Sequence, residues 1–438
     1  MVEVELNEKL IYRVIGPASL NVLKGKLRVQ AANWEAGSRI VVSKTTSLPI
    51  YSPEGVCRLE IMIGEGGEFI PEDSGNPVVE WEKKLKDLIM KLIEHTKLRK
   101  CKVLVLGEVD SGKTTATTML ANICLELGFK VAIIDGDVGQ SDIGPPTFIS
   151  MSILNKPIIT PKELEPIRMY FIGDITPYLY HERIARGIRE LIDEAYRMNV
   201  DVVVVDTDGW FKGIKALRSK LEVISAVRPE AVVVIGRKNE NVDYMLKLKS
   251  FNINLCQLTP PTTRRTRSRD ERKILREQAY SKYFSNAKTR VIKLNEILVI
   301  PELIITGKCV SPQEVKVIED SVGCKIRYCE LWFDEMIIVL EGSYKGRINV
   351  RDVIEKLKEL YGNKTYHVLF EGWEKGLIAA VLDENFNHIA PAIIEHIDYE
   401  NLKIRLYTPW DEEVKGLAVG RVRLQRLEEG SIKEVGRF

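Results

Sequence analysis

The nine residues Gly107-Glu108-Val109-Asp110-Ser111-Gly112-Lys113-Thr114-Thr115 constrain this chain more than any other stretch. They fit the spacing G-x-x-x-x-G-K-[ST]. The apolar run KVLVLG precedes them, and the helix-forming run KTTATTMLANICLELG begins within them. A glycine-containing turn between a buried strand and a helix N-terminus aims backbone N–H groups at an anion, so the segment reads as a phosphate-binding P-loop. In that reading Lys113 reaches the β- and γ-phosphates and the Thr114 hydroxyl ligates magnesium. The chain is expected to bind a nucleoside triphosphate with Mg2+ through Gly107 to Thr115. A turn that merely links strand to helix does not account for motif and context together. Glu108 and Val109 after the first glycine set the loop apart from the deviant type with an early extra lysine.

The flanking pattern supplies the fold expectation. From 101 to about 290 apolar Val/Ile runs alternate with helical stretches: KVLVLG, KVAIIDGD, a helix over 181–198, VDVVVVDTDGW and EAVVVIG. Continuous runs of this kind are buried parallel strands, and their alternation with helices implies a doubly wound, mostly parallel α/β sheet. Residues 1–78 read as short alternating strands broken by turns, a small sandwich-like β module. Trp81, Leu85, Leu88, Ile89, Leu92 and Ile93 then recur at helical spacing, which predicts an entry helix over 78–100. From about 291 strands return, with one helix near 350–361. The expected division is an N-terminal β module (1–78), a P-loop domain with entry helix and Arg-rich lid (79–290), and a C-terminal β-rich domain (291–438).

Bulk properties exclude several classes. The 438 residues suggest two to four domains. A hydrophobic fraction of 45% is enough for ordinary cores. A net charge of +2 gives no global nucleic-acid signal, although a local basic patch is allowed. Seven cysteines, an odd number without C-x-x-C spacing, read as buried thiols in a reducing compartment. The five scattered histidines offer no transition-metal ligand pair. The acidic, alternating N-terminus is no signal peptide, and no apolar run approaches the ~18 residues of a membrane span. A cytoplasmic, soluble protein is expected.

Three further motifs carry chemistry. The second strand ends Asp135-Gly136-Asp137-Val138-Gly139-Gln140. A carboxylate there can hold magnesium or accept a proton from an attacking hydroxyl, and the residues alone do not choose between Asp135 and Asp137. After VDVVVVD comes Asp206-Thr207-Asp208-Gly209-Trp210-Phe211-Lys212-Gly213. As D-x-x-G this could serve a GTPase, but Arg237-Lys238-Asn239-Glu240 does not supply the guanine-reading motif after the next strand. Trp210, in a loop at a strand's carboxyl end, is placed to stack on a nucleobase, with Lys212 near a phosphate; the plain alternative is loop packing. The third motif, TTRRTRSRDERKILR at 262–276, contains Arg264, Arg265, Arg267, Arg269, Arg272, Lys273 and Arg276. It follows Pro260-Pro261 and favours arginine, as a phosphate-contacting lid does; a solvated helix face is the plain alternative.

Together these motifs resemble the polynucleotide 5′-hydroxyl kinase family, which includes archaeal RNA kinases, the kinase subunit of the eukaryotic pre-mRNA cleavage complex and the nucleolar kinase of ribosomal RNA processing. The family's D-x-G-Q matches Asp137-Val138-Gly139-Gln140, its T-x-G-W-x-K-G matches Thr207 to Gly213, and its R-S-x-D-x-R lid matches Arg267-Ser268-Arg269-Asp270-Glu271-Arg272. The resemblance implies transfer of the ATP γ-phosphate to an RNA or DNA 5′-hydroxyl end. It favours Asp137 over Asp135 as the residue that activates the acceptor and joins Thr114 at magnesium. Lys113, Arg267 and Arg272 would then offset charge on the phosphates, and Gln140, Thr207, Gly209, Trp210 and Lys212 would form the acceptor site. RNA-processing proteins are implied as partners. Some family members bind ATP yet serve as scaffolds, so an ATP-binding scaffold with little turnover stands as the alternative. A GTPase switch is a third reading.

Overall fold

The computed structural model describes residues 2–8, 10–44, 46–72, 77–96, 100–237, 240–261, 267–300 and 309–438. Arg264, Arg265, Lys238 and Asn239 lie outside them. The chain forms two compact units. The first takes the residues up to Gly144, with Phe148–Ile172 and Thr176–Arg272. The second takes Lys273–Phe438, with the short loops Pro145–Thr147 and Gly173–Ile175. The N-terminal strands and the P-loop sheet thus share one unit, and the C-terminal strands belong to the other. We propose that the β module (1–78), the P-loop domain (79–290) and the C-terminal β-rich domain (291–438) are the domains of the chain.

The N-terminal strands make two antiparallel sheets. One runs in the order Val2–Leu6, Cys57–Ile63, Ala18–Lys24, Arg39–Val42; the other runs Ala32–Glu35, Lys26–Val29, Ser47–Tyr51, Ile11–Ile15, Glu68–Glu72. Leu6, Leu20, Ile40 and Leu59 from the first and Val14, Leu27 and Ile50 from the second share one core, so period-two alternation has produced a sandwich. Arg28 ties this module to the rest of its unit. Its guanidinium donates to Glu82 (Nε 2.9 Å, Nη2 2.6 Å) and to Glu126 (3.1 Å), while the Tyr51 hydroxyl donates to Glu82 at 2.6 Å.

The P-loop sheet has seven strands: β1 (Cys101–Gly107), β2 (Val131–Gly136), β3 (Phe148–Ile153), β4 (Arg168–Phe171), β5 (Val202–Thr207), β6 (Ala231–Ile235) and β7 (Asn254–Leu258). Their order is β7-β6-β1-β5-β2-β3-β4. Pairing is parallel from β7 through β2, and β3 and β4 add antiparallel. Helices α1 (Val78–Thr96) and α2 (Lys113–Glu126) cover one face, packing Trp81, Leu85, Ile89, Met119 and Ile123 on Val103, Ile133 and Val204. Helices α3 (His181–Arg197) and α4 (Ile214–Val227) cover the other through Ile184, Ile188, Leu191, Val223 and Ile224. Both faces are buried, as the unbroken Val/Ile runs require. The sheet grows one way from β1 to β5 and β2 and the other way to β6 and β7, so β1 and β5 carry the topological switch point where such sheets bind ligands.

In the second unit the strands Lys288–Lys293, Lys403–Thr408, His388–Asp398, Leu377–Leu382 and Gly416–Arg426 pair in that order, all antiparallel. Leu298–Ile300 and Ile432–Arg437 add to Gly416–Arg426. A separate sheet of Ile326–Trp332, Glu335–Leu340 and Thr365–Phe370 carries two helices, Val350–Tyr361 and Pro312–Val322. The second of these helices was not expected. Its signals are in the sequence: Ser311 and Glu314 form a capping box around Pro312, and Gly323 ends the helix at φ +75°.

Candidate active site

The P-loop runs from the end of β1 to the first turn of α2. Gly112 stands at φ +100° before the helix, with no side-chain cap and no acidic residue in the first turn. The amides of that turn are left to an anion. Glycine is required for space as well as for φ, because a Cβ on Gly112 would lie 2.8 Å from the Trp81 ring. Trp81 is buried and donates Nε1–H to the Thr259 carbonyl at 2.8 Å, so α1 braces the loop from behind. Lys113 is buried and its Nζ donates to the Glu108 carbonyl at 2.9 Å. The buried Ser111 hydroxyl has no hydrogen-bond partner among the described residues. Glu108, Val109 and Asp110 form the outer rim, with Asp110 at φ +56°. Thr115 is half-buried on the first turn of α2.

Thr114 Oγ1 donates to Asp206 Oδ2 at 2.7 Å, and among the described residues it makes no hydrogen bond to Asp137. Asp206 ends β5 beside β1, in register with Val105 and with Asp135 of β2. It is buried, and its second oxygen, Oδ1, has no hydrogen-bond partner among the described residues. Burial pushes its carboxyl up to about 7, against the downward pull of the Lys113 ammonium and the Thr114 hydroxyl. A hydroxyl and an unsatisfied carboxylate at the mouth of a P-loop form the donor set that magnesium uses together with phosphate oxygens. Among the described residues there is no group of three or more His, Cys, Asp or Glu able to hold a metal unaided. Asp206 was read only as the first residue of D-x-x-G. The missed signal was a carboxylate directly after four consecutive valines, on a strand adjacent to the P-loop strand.

Asp135 and Asp137 separate clearly. Asp135 is buried and both its oxygens are used: Oδ1 accepts the Asp137 amide, and Oδ2 accepts the amides of Asp142 and Ile143 and the Ser141 hydroxyl. It folds the loop after β2. Burial first, then the Asp142 and Asp206 carboxylates, push its proton affinity well up. Asp137 is half-buried. Its Oδ1 accepts the amides of Gly139 and Gln140, both at 3.0 Å, and Oδ2 takes no hydrogen bond among the described residues. Burial and the Asp208 carboxylate raise its proton affinity, with the Lys113 ammonium and the two amides opposing. A fixed carboxylate with one open oxygen and a raised pKa is suited to take a proton.

The turn after β5 is built against the P-loop. A Cβ on Gly209 would lie 2.5 Å from Val109 Cγ2 and 2.9 Å from Val109 Cα, so only glycine allows the approach. Asp208 is held by the fully buried Lys220, whose Nζ donates to its carboxylate at 2.6 Å and its carbonyl at 3.0 Å. In turn Asp208 Oδ1 accepts the Trp210 amide at 2.9 Å. Trp210 is half-buried, and its ring meets Tyr178 edge-on at 5.7 Å. The Thr207 hydroxyl is buried and donates to the Val105 carbonyl at 2.9 Å, which fastens β5 to β1. Lys212 is exposed, with Nζ 3.5 Å from Glu108 Oε2.

The arginine segment meets the same loop. Arg269–Tyr283 is helical, with Ser268 and Glu271 exchanging capping hydrogen bonds. The Arg267 amide and Arg272 Nη2 both donate to Asp110 Oδ2, at 3.3 and 3.1 Å. Gln140 Nε2 donates to the Arg272 carbonyl at 3.2 Å and to the Gly139 carbonyl at 2.7 Å. Lys113, Asp137, Gln140, Arg267 and Arg272 thus lie around one loop. In the second unit Arg276 donates from Nε and Nη2 to Glu434, at 2.7 and 3.1 Å.

Comparison with known proteins agrees with this geometry. The family model described as mRNA cleavage and polyadenylation factor CLP1 P-loop matches residues 107–286. The polyribonucleotide 5′-hydroxyl-kinase of Methanocaldococcus jannaschii is 31% identical over 327 residues, covering 74% of this chain and 87% of that one. The corresponding kinase of Pyrococcus abyssi is 31% identical over 346 residues, covering 78% and 92%. Among solved structures, the Clp1p–Pcf11p complex matches with a TM-score of 0.62 at 12% identity, over 96% of this chain and 97% of that one, which shows a shared fold. The P-loop, the carboxylates facing it and the extent of these matches place the chain in the polyribonucleotide 5′-hydroxyl-kinase family.

Proposed function

We propose that this chain is an ATP-dependent polynucleotide 5′-hydroxyl kinase acting in RNA processing. The observation that carries the reading is Asp137, a carboxylate held by two loop amides with one oxygen open beside the P-loop lysine. A phosphoryl transfer to a hydroxyl needs a base on the acceptor, and Asp137 is placed to be one.

The P-loop amides and Lys113 hold the donor phosphates. Thr114 and Asp206 would hold Mg2+, and the ion would supply charge neutralisation to the donor phosphates. Asp137 orients the 5′-hydroxyl and takes its proton as the new O–P bond forms and the bond to the ADP leaving oxygen breaks. Lys113, Arg267 and Arg272 offset charge on the transferred group, so positioning and electrostatics supply most of the catalysis. Trp210 stacks on the terminal base, Gln140 steadies the lid next to Asp137, and Gly209 lets the Trp210 turn reach the P-loop. Thr207 serves the site through the sheet and not by contact.

Incubation with γ-labelled ATP and 5′-hydroxyl RNA or DNA oligonucleotides tests this directly. Label should appear on the oligonucleotide end. ATP binding without transfer to either acceptor is what a scaffold subunit would give, and it would overturn the kinase reading. Side-by-side acceptors also report the preference between RNA and DNA. RNA-processing proteins are the proposed partners. No helix among the described residues is long and apolar enough to cross a membrane.

A further inference from the structure

Beside Trp210 lies a second aromatic side chain that no motif announces. Tyr178 sits in the loop between β4 and α3, on a half-exposed ring that meets the Trp210 ring at 5.7 Å and 64°. Lys215, from the first turn of α4, brings its Nζ 2.5 Å from the Tyr178 hydroxyl and 4.8 Å from the centroid of that ring. Leu179, on the same loop as Tyr178, and Ile214, the first residue of α4, are strongly exposed. A solvent-facing pair of rings with a fixed ammonium and exposed apolar neighbours needs an explanation, since the core of the unit lies elsewhere.

We infer that Tyr178 and Lys215 extend the acceptor site: Tyr178 sets the angle of the Trp210 ring against the terminal base, and Lys215 meets the first phosphodiester of the nucleic-acid strand. The inference rests on the kinase reading for its location but names residues that reading does not use. An edge-on contact limits the ring plane of Trp210, because the edge of one ring is drawn to the face of the other. The Lys215 ammonium is oriented by the tyrosine hydroxyl and ring, so it is already placed when a phosphate arrives. Lys212, exposed on the same turn as Trp210, adds a second cation. Rings that stack on any base, flanked by lysines that meet the backbone, suit single-stranded nucleic acid without regard to sequence. An acidic protein segment would satisfy the lysines but would leave the stacked rings without a flat partner.

The test measures binding and turnover separately. Binding of a fluorescent 5′-hydroxyl RNA oligonucleotide is followed by anisotropy for the wild type, Tyr178→Ala, Tyr178→Phe and Lys215→Ala at several salt concentrations. Calorimetry with ATP on the same proteins reports folding of the P-loop. Tyr178→Ala should weaken oligonucleotide binding about tenfold, with ATP affinity within about twofold. Tyr178→Phe keeps the ring and should stay within about threefold of wild type. Lys215→Ala should weaken binding about fivefold and flatten the salt dependence by about 0.7 in log–log slope, the loss of one phosphate contact to a single strand. Where turnover is measured, the acceptor KM should rise while kcat holds. Unchanged oligonucleotide binding in both alanine variants overturns the inference, as does an equal loss of ATP affinity, which would mark a structural role. Failure of wild-type phosphoryl transfer would sink the kinase reading alone, since the binding arm still decides this one.

Discussion

The Thr114 hydroxyl donates to Asp206 Oδ2 at 2.7 Å, joining the first helical turn after the P-loop to the end of the neighbouring strand, 92 residues away in sequence. Burial holds the Asp206 carboxyl at about 7, well above the usual 3.8. The folded protein therefore binds a proton there that the unfolded chain releases near pH 4. The stabilising share of this group is complete below pH 4 and is lost as pH rises through 7, with a slope of up to about 1.4 kcal/mol per pH unit. Asp135 acts in the same direction. Magnesium needs the ionised form, so Mg–ATP affinity should show the opposite trend, rising toward pH 7 and flat above it. Urea denaturation of the ligand-free protein and calorimetry with Mg–ATP, both from pH 5 to 8, measure the two slopes. Asp206→Asn should shallow the first and remove the second; a wild-type Mg–ATP affinity independent of pH would refute the assignment.

Asp137→Asn keeps the shape of the side chain and its contacts to Gly139 and Gln140. It removes the base. Phosphoryl transfer should fall by about 10²- to 10⁴-fold while ATP binding stays within a few-fold. Asp135→Asn is the contrasting variant: it disturbs three hydrogen bonds to Oδ2 and should lower the melting temperature as well as activity. If the two substitutions behave alike, Asp137 is not the base and the division of labour between the two carboxylates fails.

Gly209→Ala should damage a loop it does not belong to. The new methyl group would stand 2.9 Å from Val109 Cα and 3.0 Å from Val109 N, which are backbone atoms of the P-loop. The loop must shift, and ATP affinity should drop about tenfold, or ~1.4 kcal/mol. Adding Val109→Ala removes only the contact to Cγ2, so the double variant should recover little. Calorimetric titration of ATP into the three proteins reads this out.

Arg28→Ala should destabilise the first unit without touching the chemistry. Its guanidinium is largely buried between Glu82 and Glu126, and removal leaves Glu82 without its cation. A cost of about 3 kcal/mol is expected in denaturant unfolding. Replacing Arg28 and Glu82 together by Met and Leu should recover part of it, since an apolar pair avoids the unpaired charge. A loss under ~0.5 kcal/mol in Arg28→Ala would show that the cluster does not hold the β module.

The parts of the site legible in sequence are those written in contiguous residues. Gly107 to Thr115 needs no tertiary information, because strand, turn, lysine and helix follow one another. The choice of Asp137 came from a resemblance and not from physics, since the two carboxylates differ only in how the folded loop uses their oxygens. Asp206 was hidden because its meaning lies in the Thr114 hydroxyl, brought to it by the β1–β5 pairing. Thr207 sits in a matching motif, yet its hydroxyl turns to Val105. Tyr178 carries no local signal: Trp210 lies far along the chain, and only the loops' convergence joins them. The helix Pro312–Val322 was readable from its capping box, but the surrounding strands led the region to be read as uniform.

Asp110 Oδ2 receives both the backbone of Arg267 and the side chain of Arg272. One oxygen of the phosphate-binding loop is therefore the hook for the arginine segment. A displacement of that oxygen would loosen two donors together, so a change in the loop would reach the segment through Asp110. A substitution at Asp110 would leave the glycines, Lys113 and Thr114 intact and still uncouple the cations from the cradle they serve.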